Sequence, residues 1–425
     1  MKVTALIIFG VTYVLLLLFP KIRAYVAVAM AGLMVAFGIL PLDRVASTID
    51  WNVIFMIAGT MGIVSLFIAS KMPALLADLI IAKTPSVKWA IIALSLFAGV
   101  ISAFVDNVAT VLMVAPVALT IAKKLKISPV PSVIAIAIAS NLQGAATLVG
   151  DTTSILLGGY AKLDFLDFFV FLGRPGMFWI VQISALAATG VLVWVFRREK
   201  QNITHEERTK VENLFPSWLL IGMVVLLICA SFLPNKPATT SGLICMGLLV
   251  IGIIHDFCKY RKAAHLLRTL REIDYMTLFL LAGLFVVIGG LTEAGIVNDI
   301  AALFVSFSGN NVFVVYSLLV WASVLFSAFI DNIPYVATML PVTAGIAATL
   351  GVEPYLLYFG LLSGATLGGN LTPIGASANI AALGILRREG CEVSTKEFMR
   401  ISVPFTLAAV TVGYVLVWLV WSGVL

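Results

Sequence analysis

The chain has 425 residues, of which 61% are hydrophobic and 11% charged, with a net charge of +6. Soluble domains carry roughly 25% charged residues, so this composition excludes a soluble enzyme or binding module and predicts an integral membrane protein with no appended soluble domain. Its apolar runs are of roughly 20 residues, the length of an α-helix that crosses a bilayer, which excludes a β-barrel.

In chain order, helices are expected near 3–19, 24–40, 52–70, 176–197, 216–233, 238–256, 275–293 and 401–424. Val3 to Phe19 lacks a small-residue cleavage site after it and reads as a retained helix, not a signal peptide. Residues 88–125 and 311–350 are too long for one crossing and carry Asp-Asn at their centres, so they read as re-entrant hairpins. Residues 131–160 and 354–388 read as helices broken near the middle. Segments near 71–86, 161–174, 294–309 and 390–400 read as interfacial helices. Residues 199–213 are the hydrophilic linker, expected to be a solvated loop.

The chain carries the same unit twice. Ser102-Ala103-Phe104-Val105-Asp106-Asn107 returns as Ser327-Ala328-Phe329-Ile330-Asp331-Asn332, and the offset persists through Pro116/Pro341, Gly144/Gly369, Thr147/Thr372 and Gly150/Gly375. Duplicated apolar units with matched polar breaks point to a secondary transporter. The basic stretches Arg197 to Lys210 and Lys259 to Arg271 flank the helix pair 216–233/238–256, which places both in the cytoplasm. With the hairpins re-entrant, Lys88 falls on that face too, and the repeats come out inverted: 1–198 and 214–425. The expected fold is therefore all-α, with about ten transmembrane helices and two hairpins, in a prokaryotic inner membrane.

Asp106 and Asp331 fall near mid-depth in this arrangement. A charged side chain there costs at least ~2.5–3.5 kcal/mol on insertion scales. Such a carboxylate either takes up a proton or meets a cation, and it can also cap the helix that follows. Asn107 and Asn332 each offer a donor and an acceptor, which suits a hydroxylated solute or a partly dehydrated ion. Around them Thr110, Gly144, Thr147, Asp151, Thr152, Thr153, Asn370, Thr372, Ser377 and Asn379 complete the candidate site. Glycines and Pro373 interrupt the helices there, freeing carbonyls for a cation and amide groups for an oxygen-rich solute. The copies differ: the first has Asp151 and Thr153 where the second has Ala376 and Ala378. No arginine falls in the predicted core, which argues against a large polyanion. Scattered Cys229, Cys245, Cys258 and Cys391 imply neither disulfide nor metal site. No cofactor is expected, nor is nucleic acid as a partner.

These motifs resemble the ion transporter superfamily, and within it the group of arsenite permeases, sodium/proton antiporters and P-permeases, over roughly 45–400. The resemblance rests on Ser-Ala-Phe-Val-Asp106-Asn107-Val-Ala-Thr110, Asp331-Asn332-Ile-Pro334-Tyr335 and the two Gly- and Thr-rich breaks. It implies an inverted repeat whose hairpins meet two unwound helices at the substrate site. The family's first break usually reads Gly-Asp-Pro-Pro-Asn; Gly150-Asp151-Thr152-Thr153-Ser154 is closer to the sodium/proton antiporter branch. The first reading is proton-coupled export of arsenite or antimonite, with Asp106, Asp331 or Asp151 carrying the proton. The alternatives are sodium/proton antiport, with Na+ as coupling ion, and ion-coupled transport of a small anion, whose carriers typically have Ser before the tip Asn. Helices 24–40 and 238–256 are the expected scaffold, on which a homodimer could form, and the resemblance allows a cytoplasmic ATPase partner as in arsenite pumps. An intramembrane aspartyl protease would need Tyr-Asp and Gly-x-Gly-Asp motifs that the sequence lacks, so no enzyme is expected.

Overall fold

The computed structural model describes residues 1–199, 201–202, 208–211, 213–261 and 263–424. It is almost wholly helical. In the first half run α1 Lys2–Leu18, α2 Arg23–Ala36, α3 Leu42–Thr48, α4 Trp51–Ala69, α5 Met72–Ile81, α6 Val87–Ser102, α7 Asn107–Leu125, α8 Val130–Gln143, α9 Thr152–Ala161 and α10 Met177–Val195. In the second run α11 Phe215–Ser231, α12 Thr240–Tyr260, α13 Ala263–Arg271, α14 Tyr275–Glu293, α15 Ile296–Ser308, α16 Val312–Ser327, α17 Asn332–Leu350, α18 Tyr355–Gly368, α19 Ser377–Arg388 and α20 Thr395–Trp421. Among the described residues, seven single helices are long and apolar enough to cross a membrane, or nine spans if two bent pairs each count once. This is an all-α, multi-pass integral membrane protein.

Acidic caps start the principal helices. Asp50 accepts the Val53 amide at 3.0 Å at the head of α4, and Asp274 accepts that of Thr277 at 3.1 Å at the head of α14. The halves exchange partners: α4 packs on α12 and α14 on α2, while α7 meets α19 and α17 meets α9. These seams are built on glycine. A Cβ on Gly59 would stand 2.5 Å from the Cys245 carbonyl carbon, and one on Gly283 would stand 2.6 Å from that of Ala27. Small residues at such seams let helix backbones approach closely, which is how helices gain packing energy in lipid.

Helices α4 and α14 run antiparallel. One cavity is lined by Asp50, Asn52 and Met56 from the start of α4, with Ile288, Thr292 and Glu293 from the end of α14. A second cavity is lined by Met61, Ser65 and Ile68 from the end of α4, with Asp274 and Thr277 from the start of α14. The second cavity also has Glu272 in its wall, beside the basic 259–271 segment, so it opens toward the face that the basic loops assign to the cytoplasm. The first has Lys236 in its wall, from the loop between α11 and α12, and opens at the opposite end of α4 and α14.

Three local expectations are corrected. Residues 161–174 are not an interfacial helix. Val170–Phe171 pairs with Arg174–Pro175 as a two-stranded hairpin, because Leu172 and Gly173 turn the chain at φ 49° and 73°. Residues 390–400 are not a separate helix either. Ser394 caps Thr395 onward by accepting the Glu397 amide at 3.2 Å, and α20 then continues through Pro404 to Trp421. The linker 199–213 is not simply solvated. The Glu199 and Gln201 carbonyls accept the Lys88 and Val87 amides at 3.0 and 2.9 Å, and Thr209 donates its amide and hydroxyl to Asp78 at 2.9 and 2.7 Å. The first amides of a helix have no partner inside it, and the linker carbonyls fill that need at α6. Residues 200, 203–207 and 212 lie outside the described part.

The glycine seams give a direct test. Replacing Gly283 by Val forces a branched side chain into the Ala27 backbone, and overpacking of this kind costs about 1–3 kcal/mol. The unfolding midpoint of purified protein should fall clearly below that of wild type, whereas an unchanged midpoint would contradict the packing described.

Candidate functional site

The site forms where both helix breaks meet both hairpin tips. Between α6 and α7 the chain turns at 103–106, and between α16 and α17 it turns at 328–331. Asp106 caps α7, accepting the Val108 and Ala109 amides at 3.0 and 3.1 Å, and Asp331 caps α17, accepting that of Ile333 at 3.2 Å. The unwound residues 144–151 and 369–376 pass behind these tips. A Cβ on Gly150 would stand 3.0 Å from both the Ser102 and Ala103 carbonyl oxygens, and one on Gly375 would stand 2.7 and 2.8 Å from those of Ser327 and Ala328. Only glycine allows this approach. Thr147 and Thr372 fasten it, each donating its hydroxyl to the tip carbonyl, of Ala103 and Ala328 respectively.

The repeats are joined through buried amides. Asn107 donates to Asn141 Oδ1 at 2.8 Å. Asn141 donates in turn to the Thr366 carbonyl at 2.8 Å and to Asn370 Oδ1 at 3.1 Å, and Asn370 returns a bond of 2.9 Å to the Ile138 carbonyl. Thr153 lies 3.0 Å from the Thr366 hydroxyl and donates to Asp151 Oδ2 at 2.8 Å. Asp151 also accepts the Thr152 amide at 2.8 Å, capping α9, and Asn332 reaches its Oδ2 at 3.3 Å. A residue of the first repeat thus holds the hairpin tip of the second.

The cytoplasmic cavity, of about 170 Å³, has Asp106, Asn107, Asp151, Thr152, Asn332 and Ser377 in its wall. The other sequence candidates stand behind it. Thr110 donates to the Asp106 carbonyl at 3.0 Å. Gly144 leaves room for Asp151, whose Cβ lies 2.7 Å from where a Cβ on Gly144 would be. Thr147, Thr153, Asn370 and Thr372 make the bonds given above. Asn379 donates to the Gly369 and Thr372 carbonyls at 3.1 Å each, while its Oδ1 is buried without a protein partner.

One expectation about charge is corrected. Arg23, at the head of α2, lines the cavity and pairs with Asp331, whose Oδ2 also accepts the Ser377 hydroxyl at 3.0 Å. The core therefore does contain an arginine. Nothing in the spacing of the motifs connects position 23 to 331. Ser65, Glu272, Asp274 and Thr277 were likewise outside the motifs. Asn141, by contrast, sits in the same polar stretch as Gly144 and was there to be noticed.

Matched helical halves whose polar, unwound backbone meets in one buried site have the form of a membrane transporter. A family model described as a citrate transporter matches residues 13–364, and the chain belongs to that family, within the ion transporter superfamily. It is 32% identical to an uncharacterized transporter of Mycobacterium tuberculosis over 99% of each chain. The human P protein is 27% identical across 91% of this chain and 55% of its own length. Among solved structures, the YdaH transporter of Alcanivorax borkumensis superposes with a TM-score of 0.60 at 14% identity, covering 89% of this chain and 87% of that one.

The amide joint should be energetically prominent. Asn141→Ala removes two donors and an acceptor and leaves the buried Asn107 and Asn370 side chains short of partners, a loss of roughly 1–3 kcal/mol for each group stranded. The variant is expected to melt well below wild type in detergent. Wild-type melting in Asn141→Ala would show that the repeats do not depend on this joint.

Proposed function

We propose that this transporter is a cation-coupled carrier working by alternating access, with the coupling proton or Na+ held at Asp151 and Asp106. The carrying observation is the position of Asp151: nearly buried, in the wall of the cavity, and bonded to the hairpin tip of the other repeat. Burial favours a proton or cation beside such a carboxylate even with three donors bonded to it, and its charge state bears on the contact between the repeats. Two cavities entering from opposite faces supply the two routes that alternating access needs.

For the solute, a cavity of about 170 Å³ suits a small molecule or ion. The amides of Asn107 and Asn332 and the hydroxyls of Thr152 and Ser377 would ligate a neutral trihydroxide, which supports arsenite or antimonite export. A second reading is a small carboxylate anion. It is favoured by Arg23 in the cavity wall and by the family model's description as a citrate transporter. The wall sets Asp106, Asp151, Glu272 and Asp274 against the one guanidinium of Arg23, and this excess of acid weighs toward carrying such an anion only together with a cation.

Purified protein in liposomes, with a pH dye inside and no nucleotide, separates these readings. Arsenite, antimonite, sodium and citrate are added in turn under an imposed pH gradient. Dye recovery on one of them identifies the exchanged pair, and flux without nucleotide excludes dependence on an ATPase partner. Asp151→Asn should lower coupled flux at least tenfold while the protein remains folded and monodisperse. Wild-type coupled flux in that variant would refute the proposal.

A further inference from the structure

The two halves of the site hold their carboxylates differently. Asp106 accepts only the backbone amides at the head of its own helix, and among the described residues no cation pairs with it or with Asp151. Asp331 has both the Arg23 guanidinium and the Ser377 hydroxyl. The second repeat also lacks a counterpart of Asp151, since Ala376 stands there.

Arg23 is itself without a counterpart. The close contacts Gly59–Cys245 and Gly283–Ala27 are equivalent across the repeats, so Ala27 matches Cys245, and Arg23, four residues earlier, matches Ser241. The duplication therefore places a guanidinium at one position and, at its match, the hydroxyl of Ser241 in the wall of the other cavity, so it gives Asp106 no equivalent of Arg23. The other titratable groups in the wall of the cavity that Arg23 lines are acidic: Asp106 and Asp151, with Glu272 and Asp274 just before α14; the nearby phenols of Tyr13 and Tyr335 are bonded elsewhere, to the Pro334 carbonyl and to Ser323. Asp331 is the one tip carboxylate whose charge the protein neutralises itself.

We infer that Arg23 is a tethered cation filling the second repeat's half of the cation site, so that only the first repeat's half, Asp106 with Asp151, exchanges its cation with solution. This rests on the coupling role proposed above and adds which half is mobile and what fixes the other. The arginine comes from α2, which packs on α14, so it cannot be carried across with the solute as a free ion would be.

The test counts cations on the folded chain without measuring flux. The unfolding midpoint of the full-length purified protein is followed as sodium replaces choline at constant ionic strength, and separately as the pH is lowered. A cation that binds only the folded state raises the midpoint, and the steepness of the rise reports how many bind. Wild type should respond to one of the two ions as a single site, and Asp106→Asn or Asp151→Asn should lose that response. Arg23→Gln exposes Asp331 and should steepen the response toward two cations. Arg23→Gln combined with Asp331→Asn should restore the single-site response. A wild-type slope in Arg23→Gln would overturn the inference. Should Arg23→Gln not fold, the double variant decides: a retained single-site response supports the inference, and a lost one overturns it, because Asp331 would then be the exchanging group. A wild type indifferent to both ions would instead overturn the coupling role itself.

Discussion

The structure depends on satisfying two stretches of unwound backbone at the centre of a membrane protein. Freed amides and carbonyls at that depth have no water to turn to, and each left unpaired costs several kcal/mol. The chain answers with side chains: Ser154 donates to the Gly144 carbonyl at 3.0 Å, Asn379 to those of Gly369 and Thr372 at 3.1 Å each, and Ser402 to that of Leu371 at 3.1 Å, while the hairpin tips, bonded by Thr147 and Thr372, close over Gly150 and Gly375. Once the tips are there, their capping aspartates and asparagines necessarily converge. The polar site is thus a consequence of covering the breaks, and the Asn107–Asn141–Asn370 chain extends the same solution across the boundary between the repeats.

Duplication supplies two similar halves, and the differences between them carry the chemistry. Asp151 exists only in the first half, and Asn332 of the second half reaches over to bond it. Arg23 acts only on the second half. The result is one uncompensated acidic pocket beside one internally neutralised carboxylate. A perfectly symmetric site would treat both tips alike. In the coupling proposed above, this asymmetry would give ions on the two sides unequal work to do, while α2 packs on α14 as α12 packs on α4.

Much of this was legible beforehand. Helix identity followed from apolar length, and the Asp106/Asp331 and Gly150/Gly375 pairs stood out because a constant offset is a strong signal in one sequence. What stayed hidden has physical reasons. Arg23 bonds a residue 308 positions away, through a guanidinium whose reach no local pattern encodes. The docking of Glu199 and Gln201 on α6 uses their backbone carbonyls, which have no sequence signature. The hairpin at 170–175 depends on a left-handed Leu172, a conformation that residue type disfavours. Asn141 was visible as a polar residue, but its partners lie in the other repeat.

The account's central claim is that one site, at the meeting of the tips, opens to each face in turn. It is tested most directly with a single cysteine at Ser377, a position in the cavity wall, on a background without the four native cysteines. Membrane-impermeant thiol reagents are applied from either side of oriented vesicles under different ion gradients. The account predicts labelling from both faces, with conditions that raise labelling from one face lowering it from the other. Labelling from the cytoplasmic face alone, whatever the gradient, would contradict it.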